Sequence, residues 1–100
     1  MVSGFPDWQQ RIFSSAENFE QLKISATDSE ATTSFAQQVS SMLLFNNGPN
    51  DVFINFDTKA TINNFPVISQ AWISVDLKIT DIHTICKAAE IATVFVIGVF

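Results

Sequence analysis

The feature that most constrains this chain is a succession of short runs of strand-forming residues, cut at regular intervals by polar turns. Ile, Val, Thr and Phe together make 37 of its 100 residues. Branched and aromatic side chains lose little freedom on a pleated, half-buried surface, and they pack well there. Ala, Leu, Glu, Lys and Arg, the better helix formers, are scarce after residue 30. The expected class is therefore all-β. A chain of this length encloses one core. The architecture expected is a single small antiparallel β-sandwich or jelly-roll-like barrel of seven or eight short strands, with an N-terminal arm or short helix.

The strands read from residue 19 onward. Phe19–Ala26 places Leu22, Ile24 and Ala26 on one face. Thr27-Asp28-Ser29-Glu30 is a polar turn, and Thr32–Gln37 reads as a short edge strand. Val39–Phe45 alternates Val39, Ser41, Leu43 and Phe45 against Ser40, Met42 and Leu44. Asn46-Asn47-Gly48-Pro49-Asn50-Asp51 is the strongest turn signal, because Gly and Asn tolerate positive φ and Pro fixes a bend. Val52–Asp57 follows with Val52, Ile54 and Phe56 inward, leaving Phe53 outward. A brief strand is expected at Ala60–Ile62 and a break at Asn63-Asn64-Phe65-Pro66. Trp72–Thr80 is the cleanest alternation: Ile73, Val75, Leu77 and Ile79 share one side. A further strand runs over Ile82–Cys86, and Lys87-Ala88-Ala89-Glu90 turns the chain. Ile91–Val99 is apolar on both faces, as a central or interface strand would be.

Residues 1–18 form a separate unit in this reading, and 19–100 the sandwich domain. Asp7 and Gln10 have the spacing of a helix cap, and Trp8, Ile12, Ala16 and Phe19 fall at helical intervals. Ser14, Ser15 and Asn18 favour an extended arm instead. In either form Phe5, Trp8, Ile12 and Phe13 need a surface to pack on. The start of the chain has neither a basic region nor an apolar run, so no targeting segment is expected. The apolar stretch Ile91–Phe100 is too short for a membrane helix.

Charge and chemistry exclude several functions. Five basic against ten acidic residues leave a net charge of -5. That balance opposes non-specific binding to nucleic acid. One cysteine rules out an internal disulfide framework. His83 and Cys86 would point to opposite faces of a strand, and a zinc site needs three or four convergent ligands. Asp51, Asp57, Asp76 and Asp81 fall in no calcium-loop pattern. Gly48 and Gly98 are isolated, so there is no phosphate loop and no nucleophile elbow. Neither enzymatic activity nor a cofactor or metal is expected. Only 15% of residues are charged, against about 25% in an ordinary domain. Such a small, apolar domain is commonly stabilised by oligomerisation.

One succession of segments carries a resemblance. It runs from Met42-Leu43-Leu44-Phe45-Asn46-Asn47-Gly48 through Val52-Phe53-Ile54-Asn55-Phe56 to Asn64-Phe65-Pro66-Val67. It continues with Ala71–Leu77, Ile79-Thr80-Asp81-Ile82-His83-Thr84-Ile85-Cys86 and Ala92-Thr93-Val94-Phe95-Val96-Ile97-Gly98. Over about residues 39–98 this resembles small β-sandwich virion proteins of tailed bacteriophages. Two positions depart from the pattern. Val67-Ile68-Ser69-Gln70 replaces a Gly-containing turn, and Phe95 stands where a basic residue is common. The resemblance implies a structural protein of the virion, made in the bacterial host cytoplasm. Its expected role is capsid cement or decoration on the major capsid protein, as a trimer or dimer, with no membrane or nucleic-acid partner. Phe5, Trp8, Ile12, Phe13 and Phe95 are the candidate interface residues. A tail, collar or fibre-base component and a soluble carbohydrate-binding sandwich are the alternatives.

Overall fold

A computed structural model describes residues 18–100. Its eight strands are β1 (Phe19–Ala26), β2 (Ala31–Val39), β3 (Ser41–Pro49), β4 (Val52–Phe56), β5 (Phe65–Val67), β6 (Trp72–Val75), β7 (Ile79–Ile85) and β8 (Ala92–Val99). They form two four-stranded sheets, a front sheet ordered β1-β8-β3-β6 and a back sheet ordered β2-β7-β4-β5. Every pairing is antiparallel. The logic of this order is simple. The first half of the chain pairs with the second, β1 with β8, β2 with β7, β3 with β6 and β4 with β5. The chain is one long hairpin with its tip between β4 and β5. Rolling it up adds the β3–β8 and β4–β7 pairs. This is the jelly-roll order of an all-β double-sheet sandwich.

The core lies between the sheets and takes alternate residues from each strand. Met42, Leu44, Val94 and Val96 enter from the front sheet, and Val52, Ile54, Ile79 and Ile82 from the back. Ile24 and Ala26 of β1 are inward, as the alternation requires, and β2 is an edge strand. β8 is central, flanked by β1 and β3. Gly98 faces inward, where Phe35 and Val39 of β2 come close. The two sheets are also tied at their β1–β2 edge, where the Ala36 N–H donates to Glu20 Oε1 at 2.8 Å. Among the described residues, only the Thr84 hydroxyl is buried without a hydrogen-bond partner.

Asn46 is the polar keystone of the sandwich. It follows Met42 and Leu44 on the inward side of β3 and is fully buried. Its Nδ2 donates to the carbonyls of Asn50 at 2.9 Å and Val67 at 2.8 Å. Its Oδ1 accepts the Gly48 N–H at 2.8 Å. One side chain thus joins the β3–β4 turn to the end of β5. Gly48, with φ of 82°, supplies the left-handed conformation where β3 shifts register between Asn46 and Pro49.

Several boundaries differ from the sequence reading. Val39 ends β2, and the chain turns at Ser40 before β3 begins, so Val39–Phe45 is not one strand. Ser40 donates its N–H to the Val99 carbonyl at 2.7 Å, which fixes that corner. β3 continues through Asn46 to Pro49, leaving a shorter turn than the Asn-rich run suggests. Ala60–Ile62 is not a strand. Its residues form a loop closed by Asn64 Oδ1, which accepts the Thr61 N–H at 2.6 Å. The expected break at Asn63–Pro66 instead leads into β5, an edge strand, where a proline costs no ladder bond. Trp72–Thr80 is two strands: β6 belongs to the front sheet and β7 to the back. Leu77 sits in the crossover and is 55% exposed, although the alternation places it inward. An alternation continued across a corner keeps its period while changing its sheet. Phe53, read as outward and open, is buried.

Candidate functional site

The outer face of the front sheet carries the most distinctive surface. The strand register sets its residues in rows. One row runs Lys23–Phe95–Phe45–Trp72 across β1, β8, β3 and β6. The next runs Gln21–Ile97–Leu43–Ser74. A third places Phe19 and Ser41 on either side of Val99. Phe95 is 43% exposed, Trp72 52% and Phe19 52%. The rings of Phe45 and Trp72 touch, with centroids 4.9 Å apart and planes tilted by 46°. Lys23 holds its ammonium 6.0 Å from the centre of the Phe95 ring, at the outer limit of a cation–π contact. Lys23 is the only charged residue on these rows, and no carboxylate lies among them.

The outer face of the back sheet is different. Thr32, His83 and Asn55 share a row, and Ser34 pairs with Asp81. His83 Nδ1 lies 3.1 Å from both Glu30 Oε1 and Thr32 Oγ1. Ser34 Oγ donates to Asp81 Oδ1 at 2.7 Å, and Asp57 Oδ1 accepts the Asp81 N–H at 2.9 Å. Asp51 Oδ1 accepts the Ser69 N–H at 3.0 Å. These carboxylates hold turns and strand ends. Three or more His, Cys, Asp or Glu side chains that could share a metal ion are not found among the described residues.

His83 lies on the outer face of the back sheet, while Cys86 is buried in the core. Burial pushes the Cys86 thiol above its ordinary value, and the carboxylates of Glu90, Asp28 and Asp51 add to the effect. A thiol held protonated and away from solvent is a poor nucleophile.

A second feature is a cleft of about 550 Å³ at the open edge of the sandwich, between β6 and the β4–β5 pair. Phe56, Phe65, Ile73 and Val75 give it apolar walls, with Asn55 and Asn64 at its polar points. It exists because β5 and β6 have only three and four residues and cannot close that edge. Among the described residues no helix is long and apolar enough to cross a membrane.

Of the interface residues named from sequence, Phe95 stands at the centre of the apolar face. Phe5, Trp8, Ile12 and Phe13 lie outside the described residues. The sequence reading did not name Phe45 or Trp72 as interface residues. Each looks ordinary in its own strand, and only the register places them beside Phe95. The available signal was that Val39–Phe45 and Ile91–Val99 both carry apolar residues on two faces. Compared with known proteins, the chain matches no family model, no curated protein and no solved structure.

Proposed function

We propose that this chain is a non-enzymatic structural subunit of a tailed-phage virion, a capsid cement or decoration protein that docks on the major capsid protein. The observation that carries this reading is the contrast between its two sheet faces. One is polar over much of its area and rich in carboxylates. The other carries exposed Phe19, Trp72 and Phe95 beside half-buried Phe45 and Ile97, with a single lysine in their rows. Exposed aromatic side chains grouped on one sheet face mark a contact surface. The fold adds a weaker argument: jelly rolls recur in capsid and lectin domains, but a fold does not name a function by itself. The resemblance over residues 39–98 points to the virion.

In this reading Phe5, Trp8, Ile12 and Phe13 anchor the subunit on its neighbour. A chain lacking residues 1–18 should keep the sandwich, seen as an unchanged far-ultraviolet spectrum and melting transition. It should lose retention on purified capsids by at least about tenfold, because large apolar anchors carry most of an interface's energy. Full retention of the shortened chain on capsids would overturn the anchoring role.

The cleft supports a second reading, a carbohydrate-binding sandwich. Phe56 and Phe65 offer ring faces, and the Asn64 amide nitrogen offers a hydrogen bond, ingredients of a small-ligand site. Glycan binding by the isolated chain without association to particles would select it.

A further inference from the structure

Four strands lie at the edges of the two sheets, and they are not equally guarded. An edge strand presents unpaired N–H and C=O groups, which proteins usually blunt with charge, proline, a bulge or a cover. β1 carries Glu20 and Lys23, and Glu20 reaches across to β2. β2 shifts register between Ser34 and Val39. β5 holds Pro66. β6, Trp72-Ile73-Ser74-Val75, has no charge and no proline, and it pairs with β3 without a register shift. Among the described residues no strand lies on its outer side. We propose that β6 accepts an extended peptide segment of a partner protein as a fifth strand of the front sheet. The inward apolar side chains of that segment sit in the cleft between β6 and the β4–β5 pair.

The register says which backbone groups are free. Asn46 donates its N–H to the Ala71 carbonyl at 3.0 Å and accepts the Gln70 N–H at 2.7 Å. Successive residues of a strand direct their backbone groups to opposite sides. Asn46, Leu44 and Met42 therefore face β6, and the partners Ile73 and Val75 face back toward β3. Trp72 and Ser74 are left with N–H and C=O directed to the open edge. The four residues of β6 span roughly 13 Å, so a strand laid along it sends about two side chains inward. There they meet Phe56, Phe65, Ile73 and Val75, the walls of the cleft of about 550 Å³. That volume is in the usual range for a bound group. No charged side chain lines the cleft, so the inward residues must be uncharged too. Main-chain hydrogen bonds hold the added strand, and the cleft selects its alternate side chains. A sugar in the same cleft makes no use of the edge, which separates this proposal from the carbohydrate reading. It is a property of the free chain and does not depend on the particle reading.

The probe is a synthetic peptide, acetyl-Lys-Thr-Val-Thr-Phe-Thr-Val-Lys-amide, titrated into the full chain and followed by amide hydrogen exchange in NMR spectra. In the free chain the Trp72 and Ser74 amides should exchange quickly, while β3 protects those of Ile73 and Val75. Bound peptide should slow exchange at Trp72 and Ser74 at least about tenfold. N-methylating one alternate set of peptide residues, those whose N–H groups face β6, should weaken binding at least about tenfold. N-methylating the other set should leave it unchanged. Ser74→Pro removes an outward N–H and no ladder bond to β3, so the melting transition should stay where it is. Its affinity for the peptide should fall at least about tenfold. No binding at about millimolar peptide would overturn the proposal. Equal affinity for both N-methylated peptides, or an unchanged affinity in Ser74→Pro, would overturn it as well, because the peptide would then dock by its side chains alone. So would self-association of the full chain that Ser74→Pro abolishes, which would make a second copy the occupant of the edge.

Discussion

Asn46→Ala should lower the stability of the sandwich by about 4 kcal/mol. Two carbonyls, of Asn50 and Val67, lose their donor, and the Gly48 N–H loses its acceptor. A buried polar group left unpaired costs about 1–3 kcal/mol. Asn46 is fully buried, so water cannot replace its amide without opening the core. A domain of this size is stable by roughly 5–10 kcal/mol. The variant should therefore melt about 15–30 °C lower. Asn46→Asp is the informative control. It keeps the shape but replaces a donor with an acceptor facing two carbonyls, so it should be no more stable than the alanine variant. Urea melts followed by circular dichroism read both. A loss under about 1 kcal/mol for Asn46→Ala would mean that the bracket does not hold the two turns together.

Gly98→Ala should destabilise by about 2–3 kcal/mol, a large effect for one methyl group. The added Cβ would lie 2.6 Å from Phe35 Cε1, 2.7 Å from Val39 Cγ1 and 2.8 Å from Phe35 Cζ. Both neighbours are buried in the opposite sheet, Phe35 at 3% and Val39 at 1% exposure. Glycine is needed here for the close approach of β8 to β2, not for its backbone freedom. The cause is testable by compensation. Phe35→Leu alone should destabilise, because it leaves a gap beside Gly98. Combined with Gly98→Ala it should recover at least about 1 kcal/mol relative to the sum of the single effects. Strict additivity would place the strain elsewhere.

These two positions show how far the sequence can be read. Isolated glycines and asparagines in strand-rich chains suggest turns, and Gly48 lies instead at an irregularity within β3. Asn46 and Gly98 instead point into the core, each for a neighbour distant in sequence. Local pattern also predicts strands well where one strand stays in one sheet. Phe19–Ala26 and Ile91–Val99 were legible because their alternation and turn residues agree. Trp72–Thr80 was not, because its alternation runs through the Asp76–Lys78 crossover from one sheet to the other. The candidate face was legible only in part. Phe95 stood out because it stands where the resembled pattern commonly has a basic residue. Its neighbours Phe45 and Trp72 come from strands far apart in the chain, and only antiparallel register assembles them into one row.

We propose that this jelly roll is a building part of a virion. Quantitative mass spectrometry of virus particles purified from cultures that produce the chain tests it most directly. The chain should copurify with infectious particles through a density gradient, in a fixed, many-copy ratio to the major capsid protein. A chain abundant in the infected-cell lysate but absent from the purified particles would contradict it.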